Sequence, residues 1–253
     1  MRFLVLLAAA SFAAAPLSAH KIVKKSAAEI VLRWDFSEGT GGWLPGFTDY
    51  TLSNPVDMKR VAEIRPLPPE VDSTRFGYFV QSMNHSDDLF MFLKRPLPPS
   101  LGVEPDMRYS VTVDIEFLSK EPSGCFGIGG SPGDSVTLKA GITAVEPLPR
   151  LIGDYVEINI DKSNQISGGR DVGVVSDIGN GRPCDNAETN RPWVLLHRVY
   201  HHPEIVTSRP NDGGLWLLVG TDSGYEGLTQ LYYYSIQVTL RPLGKDSAAG
   251  PSL

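Results

Sequence analysis

The densest group of side chains able to do chemistry is Asn84-His85-Ser86-Asp87-Asp88, two adjacent carboxylates beside an imidazole, an amide and a hydroxyl. Neighbouring carboxylates raise one another's pKa once water is removed, which suits proton transfer. The same set can contact a polar ligand or share in a metal shell. It reads equally as a hairpin turn in which Asn and Asp bond their own backbone. A second group, Asp222-Ser223-Gly224-Tyr225-Glu226, gathers two carboxylates, a hydroxyl and a free carbonyl on one loop. Oxygen sets on turns suit calcium, and Asp35 and Glu38 would complete the shell if the first and last strands are neighbours. The plain alternative is a solvated loop. In a third group, Trp43, Phe47 and Tyr50, with Asp49 between them, crowd a Gly/Pro-rich turn. Aromatic faces there, or in Tyr232-Tyr233-Tyr234, would suit the C–H faces of sugar rings, with core packing as the alternative.

Other patterns carry less. His197 and His201 have a spacing that pairs zinc ligands on a helix, whereas their segment reads as a strand. Gly129-Gly130-Ser131-Pro132-Gly133 fits GxSxG but lacks the strand and helix that a nucleophile elbow needs.

The elements that must position these groups are strands. Tyr109, Val111, Val113, Ile115 and Phe117 alternate with Ser110, Thr112, Asp114 and Glu116, the pattern of a strand with one wet face. Further strands are expected over 29–37, 76–81, 89–93, 135–140, 156–160, 172–178 and 193–200. The stretch 215–240 reads as an apolar strand covered on both faces, a Gly-punctuated loop and a Tyr-rich strand, a pair needing a second sheet over it. Pro66, Pro68 and Pro69 make a central strand or long helix over 53–75 improbable. No segment sustains a 3.6-residue apolar period. The fold class is all-β, an antiparallel sandwich or barrel.

Met1-Arg2, the apolar run 3–15 and Pro16-Leu17-Ser18-Ala19 describe a secretory signal peptide cleaved after Ala19, with Ala15 as the alternative, and too short to span a bilayer. Removing it leaves 234 residues (253 − 19) and moves the formal charge from −6 to −7, since Arg2 is lost. A single β domain over 28–243 is expected, between disordered segments at 20–27 and 244–253. The acidic balance with scattered basic residues argues against nucleic acid or an anionic membrane surface as partner, and no later apolar run would span a membrane. The two cysteines, Cys125 and Cys184, either form one disulfide or remain buried thiols.

With this pattern the chain resembles the galactose-binding-like jelly rolls of secreted bacterial carbohydrate-binding modules. The resemblance is carried by Trp34-Asp35-Phe36-Ser37-Glu38-Gly39 through Trp43, by the strand Arg108 to Phe117, and by Leu215 to Leu240. It implies that the closing segment lies beside the opening strand, with calcium between first and last strands and aromatic side chains presented to sugar. The position where such modules place an acid in the last strand reads Tyr234-Ser235 here. Residues 84–92, 159–165 and 220–227 are similar to segments of uncharacterised secreted bacterial proteins.

Three functions follow from these features. The first is a secreted, periplasmic or extracellular, non-catalytic protein that binds carbohydrate or a cell-envelope ligand through its loops. Its contacts would be Trp43, Phe47, Asp49, Tyr50, Asn84, His85, Asp87 and Asp88. The second is a glycan lyase or hydrolase using Asp, Glu and His on those loops. The third is an envelope scaffold.

Overall fold

The computed structural model describes residues 28–53, 57–85, 88–185 and 191–245. The expected signal peptide, the segment 20–27, nearly all of the tail, and Ser86 with Asp87 lie outside the described residues. The chain runs through β1 (Ile30–Asp35), β2 (Leu44–Thr48), β3 (Tyr50–Thr51), β4 (Val61–Pro66) and β5 (Phe76–Met83). It continues through β6 (Leu89–Leu97), β7 (Met107–Ser119), β8 (Val136–Thr143), β9 (Pro149–Ile152) and β10 (Tyr155–Ile158). It ends with β11 (Val172–Asp177), β12 (Val194–His201), β13 (Val206–Thr207), β14 (Leu215–Ser223) and β15 (Leu228–Lys245).

Two antiparallel sheets face each other. One follows β12-β7-β15-β5-β4, with β1 on β15 and β13 on β7; the other follows β11-β8-β14-β6-β2. Strands adjacent in space are mostly distant in sequence, as in the jelly roll that the resemblance implies. Val111, Val113, Ile115 and Phe117 of β7 and Ile236, Val238 and Leu240 of β15 meet Leu138, Ala140 and Ile142 of β8 and Leu215, Leu217 and Val219 of β14 in one core. Burial of apolar area on this scale is the main stabilising term.

The strand β15 organises its sheet. Residues Leu228 to Tyr233 pair with β5, a bulge follows at Tyr233/Ser235, and Ser235 to Leu240 pair with β1. Closing and opening strands are thus neighbours, as the resemblance implies. The expectation that 215–240 forms one strand pair is corrected: β14 lies between β6 and β8 in the opposite sheet. Its apolar residues on both faces already require a central strand, and the loop after Ser223 carries the chain across the sandwich. The Pro-rich stretch contributes β4, at the sheet's edge, where proline is tolerated, and a single helical turn, Pro69–Asp72, with Pro at its start.

A third layer covers the outer face of the second sheet. The small sheet β3-β10-β9 and the loop 159–171 bring Ile158 and Ile160 onto Phe90, Phe92, Val172 and Leu218. Gly141 makes this possible: a Cβ there would meet the Asp171 carbonyl oxygen at 2.1 Å. Among the described residues no helix is long and apolar enough to cross a membrane.

Candidate functional site

Beneath this third layer lies a buried ion network. Side chains alternate along β8 and β14, so Leu138 and Ala140 enter the main core while Lys139 points outward under the cover, as does Asp222 beyond Leu218. Lys139 is 0% exposed. Its Nζ lies 2.9 Å from Asp222 Oδ2 and donates to the carbonyl oxygens of Lys162 (2.9 Å), Ser167 (3.0 Å) and Asn164. The loop 159–171 supplies those carbonyls because it winds around Asp161, whose carboxylate accepts the N–H groups of Ser163 and Arg170.

Lys162 arrives on the same loop. Its Nζ lies 2.8 Å from Asp222 Oδ2, 2.8 Å from Asp49 Oδ2 and 4.0 Å from Asp88 Oδ1, above the Phe90 ring at 5.3 Å. Asp49 turns the corner between β2 and β3 in the left-handed region (φ 62°), which Asp tolerates better than most residues. Burial lowers the Lys162 pKa, but Asp222, Asp49 and Asp88 together outweigh it and raise the pKa above the usual lysine value. For Lys139 burial wins over Asp222, and its pKa falls.

The network opens to solvent at Asp88, whose side chain is 38% exposed while that of Asp49 is 5% exposed. The Tyr155 hydroxyl donates to Asp88 Oδ2 at 3.3 Å. Burial pushes Asp88 up to about 7; Lys162 opposes this, and the negative charges of Asp222 and Asp49 add to it. Burial and the carboxyl group of Asp88 likewise raise the Tyr155 pKa. Asp88 and Tyr155 form one wall of a cavity of about 370 Å³, completed by Glu157, Ser163, Asn164 and their neighbours.

The expected ligand contacts therefore separate. Asp49 and Asp88 come together, and Asp87 lies outside the described residues. Trp43, 1% exposed, packs edge-on against Trp34 and Phe36 in the main core, so core packing rather than sugar stacking accounts for it. Phe47 packs against the same core, and Tyr50 lies under the Arg60 guanidinium at 4.3 Å. Asn84 is buried and donates to the carbonyls of Ser223 and Tyr225, which ties the turn before β6 to the loop after β14. His85 is exposed and meets the Asp57 carbonyl.

The expected calcium shell of Asp35, Glu38, Asp222 and Glu226 is not assembled. Asp35 is paired with Arg75 on the first sheet, while Asp222 lies beneath the cover of the second. Among the described residues one acidic group could hold a metal ion, Asp49, Asp88 and Asp222, each offering an oxygen within 4.8 Å of the others. The Lys162 ammonium stands among these oxygens, and calcium at the usual 2.3–2.6 Å would have to displace it. Lys139 and Lys162 went unrecognised in the sequence. The legible signal was a lysine inside Val136-Thr137-Leu138-Lys139-Ala140, an otherwise buried strand.

Cys125 and Cys184 are disulfide-bonded, with Cα atoms 5.1 Å apart. Ser131 donates to Asp134 within its own turn, consistent with a loop staple. His197 and His201 stand on β12 beside Asp114 and Thr112.

No family model and no curated protein matches the chain. Among solved structures the chain is similar to the module TmCBM61 in complex with β-1,4-galactotriose, at 8% identity and TM-score 0.36, over 81% of this chain and 92% of that one. It is similar to the xylan-binding domain from CBM 22 at 13% identity and TM-score 0.37, over 86% and 97% of the two chains. A third likeness is to TmCBM27, a carbohydrate-binding module recognising mannan, at 10% identity and TM-score 0.35, over 85% and 99%. Scores this low do not bear on what this chain binds.

Proposed function

We propose that this protein is a secreted, non-catalytic carbohydrate-binding protein whose ligand site is the cavity walled by Asp88 and Tyr155. One observation carries the reading: the Tyr155–Asp88 hydrogen bond stands at the mouth of a cavity of about 370 Å³ whose floor is immobilised by ion pairs. Cavities of this size with a few fixed polar groups suit small polar ligands. A sugar presents adjacent hydroxyls that a carboxyl group can bind in pairs, and a C–H face that a tyrosine ring can cover. Because Lys162, Asp49 and Asp222 hold each other in place, little ordering remains to oppose binding.

Secretion is supported by the apolar run 3–15 and by the Cys125–Cys184 disulfide, a bond that persists in oxidising compartments. The ligand is then a free glycan or a carbohydrate of the cell envelope. A catalytic reading draws on the proton that Asp88 retains near neutral pH. The other carboxylates of the cavity wall are engaged: Asp49 is buried against Lys162, Glu157 is paired with Arg150, and Asp161 accepts N–H groups of its own loop. Binding is the better-supported function.

The test is a panel of neutral, amino-sugar and uronic-acid oligosaccharides, followed by amide-shift mapping of each binder. Perturbations centred on Asp88, Tyr155 and Asn164 support the proposal. Perturbations centred elsewhere, or a panel without a binder, overturn it.

A further inference from the structure

A second cavity, of about 190 Å³, opens beside the two segments that the Cys125–Cys184 disulfide joins. Among the described residues it shares no lining with the cavity at Asp88. Its charged lining there is Lys120, Arg182 and Arg191 against Asp185 alone. Behind the wall the buried Glu121 carboxylate accepts from Arg191 Nη1 at 3.1 Å, the one ion pair of this group among the described residues. With Glu121 counted, three cations still meet only two acids, a local positive excess in a chain whose formal charge is −6.

Two donors of this cavity are unspent. Asn180 Oδ1 accepts the backbone N–H of Arg182 at 3.0 Å, which fixes the sense of the amide and makes Nδ2 its free end. Asn180 Nδ2 and Arg191 Nε are both buried, and neither meets an acceptor among the described residues. Both nitrogens can only donate, so what they lack is an acceptor. A buried donor left without one is costly. Two of them in one cavity, with Lys120 and Arg182 beside them, describe a partner that carries several acceptor oxygens and negative charge.

The walls are set before any ligand arrives. The Asn180 N–H donates to the Glu121 carbonyl at 2.9 Å, the Ser123 N–H to the Arg182 carbonyl at 2.9 Å, and the Gly181 N–H to Ser123 Oγ at 3.3 Å. The disulfide ties the same two segments just beyond these bonds. Lys120 Nζ stands over the Trp193 ring, 5.6 Å from its centre. Little ordering remains to oppose binding of an ion.

We propose that this cavity is a second binding site, which takes a small oxyanion: the carboxylate, sulfate or phosphate group of a soluble ligand. Arg191 Nε and Asn180 Nδ2 contact its oxygens, and Lys120 and Arg182 balance its charge. The site stands apart from the carbohydrate reading above, and a glycan panel without a binder leaves it in place.

The experiment titrates the full chain with sodium phosphate, sodium sulfate and sodium glucuronate, at an ionic strength held constant with sodium chloride. Nitrogen-15 spectra follow the side-chain signals of Arg191 Nε–H and Asn180 Nδ2–H. At least one of the three anions is expected to shift both signals saturably, and the one that does so identifies the acidic group. Asn180→Asp keeps the acceptor for the Arg182 N–H and puts an oxygen where the donor was. Affinity, read there from the Arg191 signal, is expected to fall roughly tenfold or more. Arg182→Gln, at an exposed position, removes one counter-charge and is expected to weaken binding as well. Tyr155→Phe, in the other cavity, should leave these shifts unchanged, so that failure of one site is told from failure of the other. No saturable shift with any of the three anions, or an affinity unmoved in Asn180→Asp, overturns the proposal. Should Asn180→Asp not fold, Arg182→Gln decides alone: an affinity equal to wild type overturns it.

Discussion

Lys162 and Asp222, 60 residues apart in the chain, meet at 2.8 Å, Nζ to Oδ2. The same oxygen also takes Lys139 at 2.9 Å. One carboxylate oxygen thus joins two ammonium groups from two separate segments, and the third layer of the fold is fastened to the second sheet at that point. Replacing Lys162 by Met leaves Asp49 buried without its ammonium partner and Asp222 with Lys139 alone. Stability is expected to fall by about 3–5 kcal/mol, read by chemical denaturation.

The position of that ammonium also governs metal binding. Calcium up to millimolar concentration, or its chelation, is expected to leave the wild-type melting temperature unchanged. In Lys162→Ala, where the oxygens of Asp49, Asp88 and Asp222 lose the ammonium among them, calcium is expected to raise it. A wild-type melting temperature that falls on chelation would contradict this.

The Trp43 indole, edge-on to Trp34 at 5.4 Å between ring centres, is a core element. Trp43→Ala is expected to destabilise the fold by about 3–5 kcal/mol. At temperatures where the variant remains folded, its glycan affinity should match wild type.

Reduction of Cys125–Cys184, which closes a loop of sequence separation 59, is expected to lower stability by about 4 kcal/mol in the chain-entropy description. Most of the lining of the cavity at Asp88, from Tyr155 to Asn164, lies within the loop this bond closes, but the ion pairs of Lys162 hold it to the sheet, so the reduced protein should retain glycan binding wherever it stays folded.

His202 gives stability an acid-side pH dependence. Burial lowers its pKa below 6.5, although Glu204 and Asp171 pull the other way. The unfolded chain takes up the proton first as pH falls. Stability is then complete above 6.5 and declines below it. The difference in thermal midpoint between wild type and His202→Gln, measured from pH 8 to 5, should change in that window; a constant difference would contradict the assignment.

The strands were legible because side-chain alternation is local. Val111, Val113, Ile115 and Phe117 announce their face, and β7 extends the expected 109–117 by two residues at each end. The sheet assignment of 215–240 was not legible, since pairing partners depend on contacts with Phe90 to Leu97 and Val136 to Thr143 far away in sequence. The site followed the same division. Asp49 and Asp88 stand out as polar residues on aromatic and polar turns. Asp222 was read as a loop oxygen, yet it lies within β14, one residue before its end, with its side chain buried. Lys139 and Lys162 become meaningful only once the loop 159–171 folds over the sheet and its carbonyls replace water around an ammonium.

The central claim is that the cavity at Asp88 and Tyr155 binds carbohydrate. The direct measurement is calorimetry of the best-binding oligosaccharide with wild type, Tyr155→Phe and Asp88→Ala, each first shown to be folded by its melting curve. Removing the hydroxyl that holds the Asp88 carboxyl group in place should weaken affinity roughly tenfold in Tyr155→Phe, and Asp88→Ala should weaken it further. Affinities equal to wild type in both variants would place the ligand elsewhere and contradict the account.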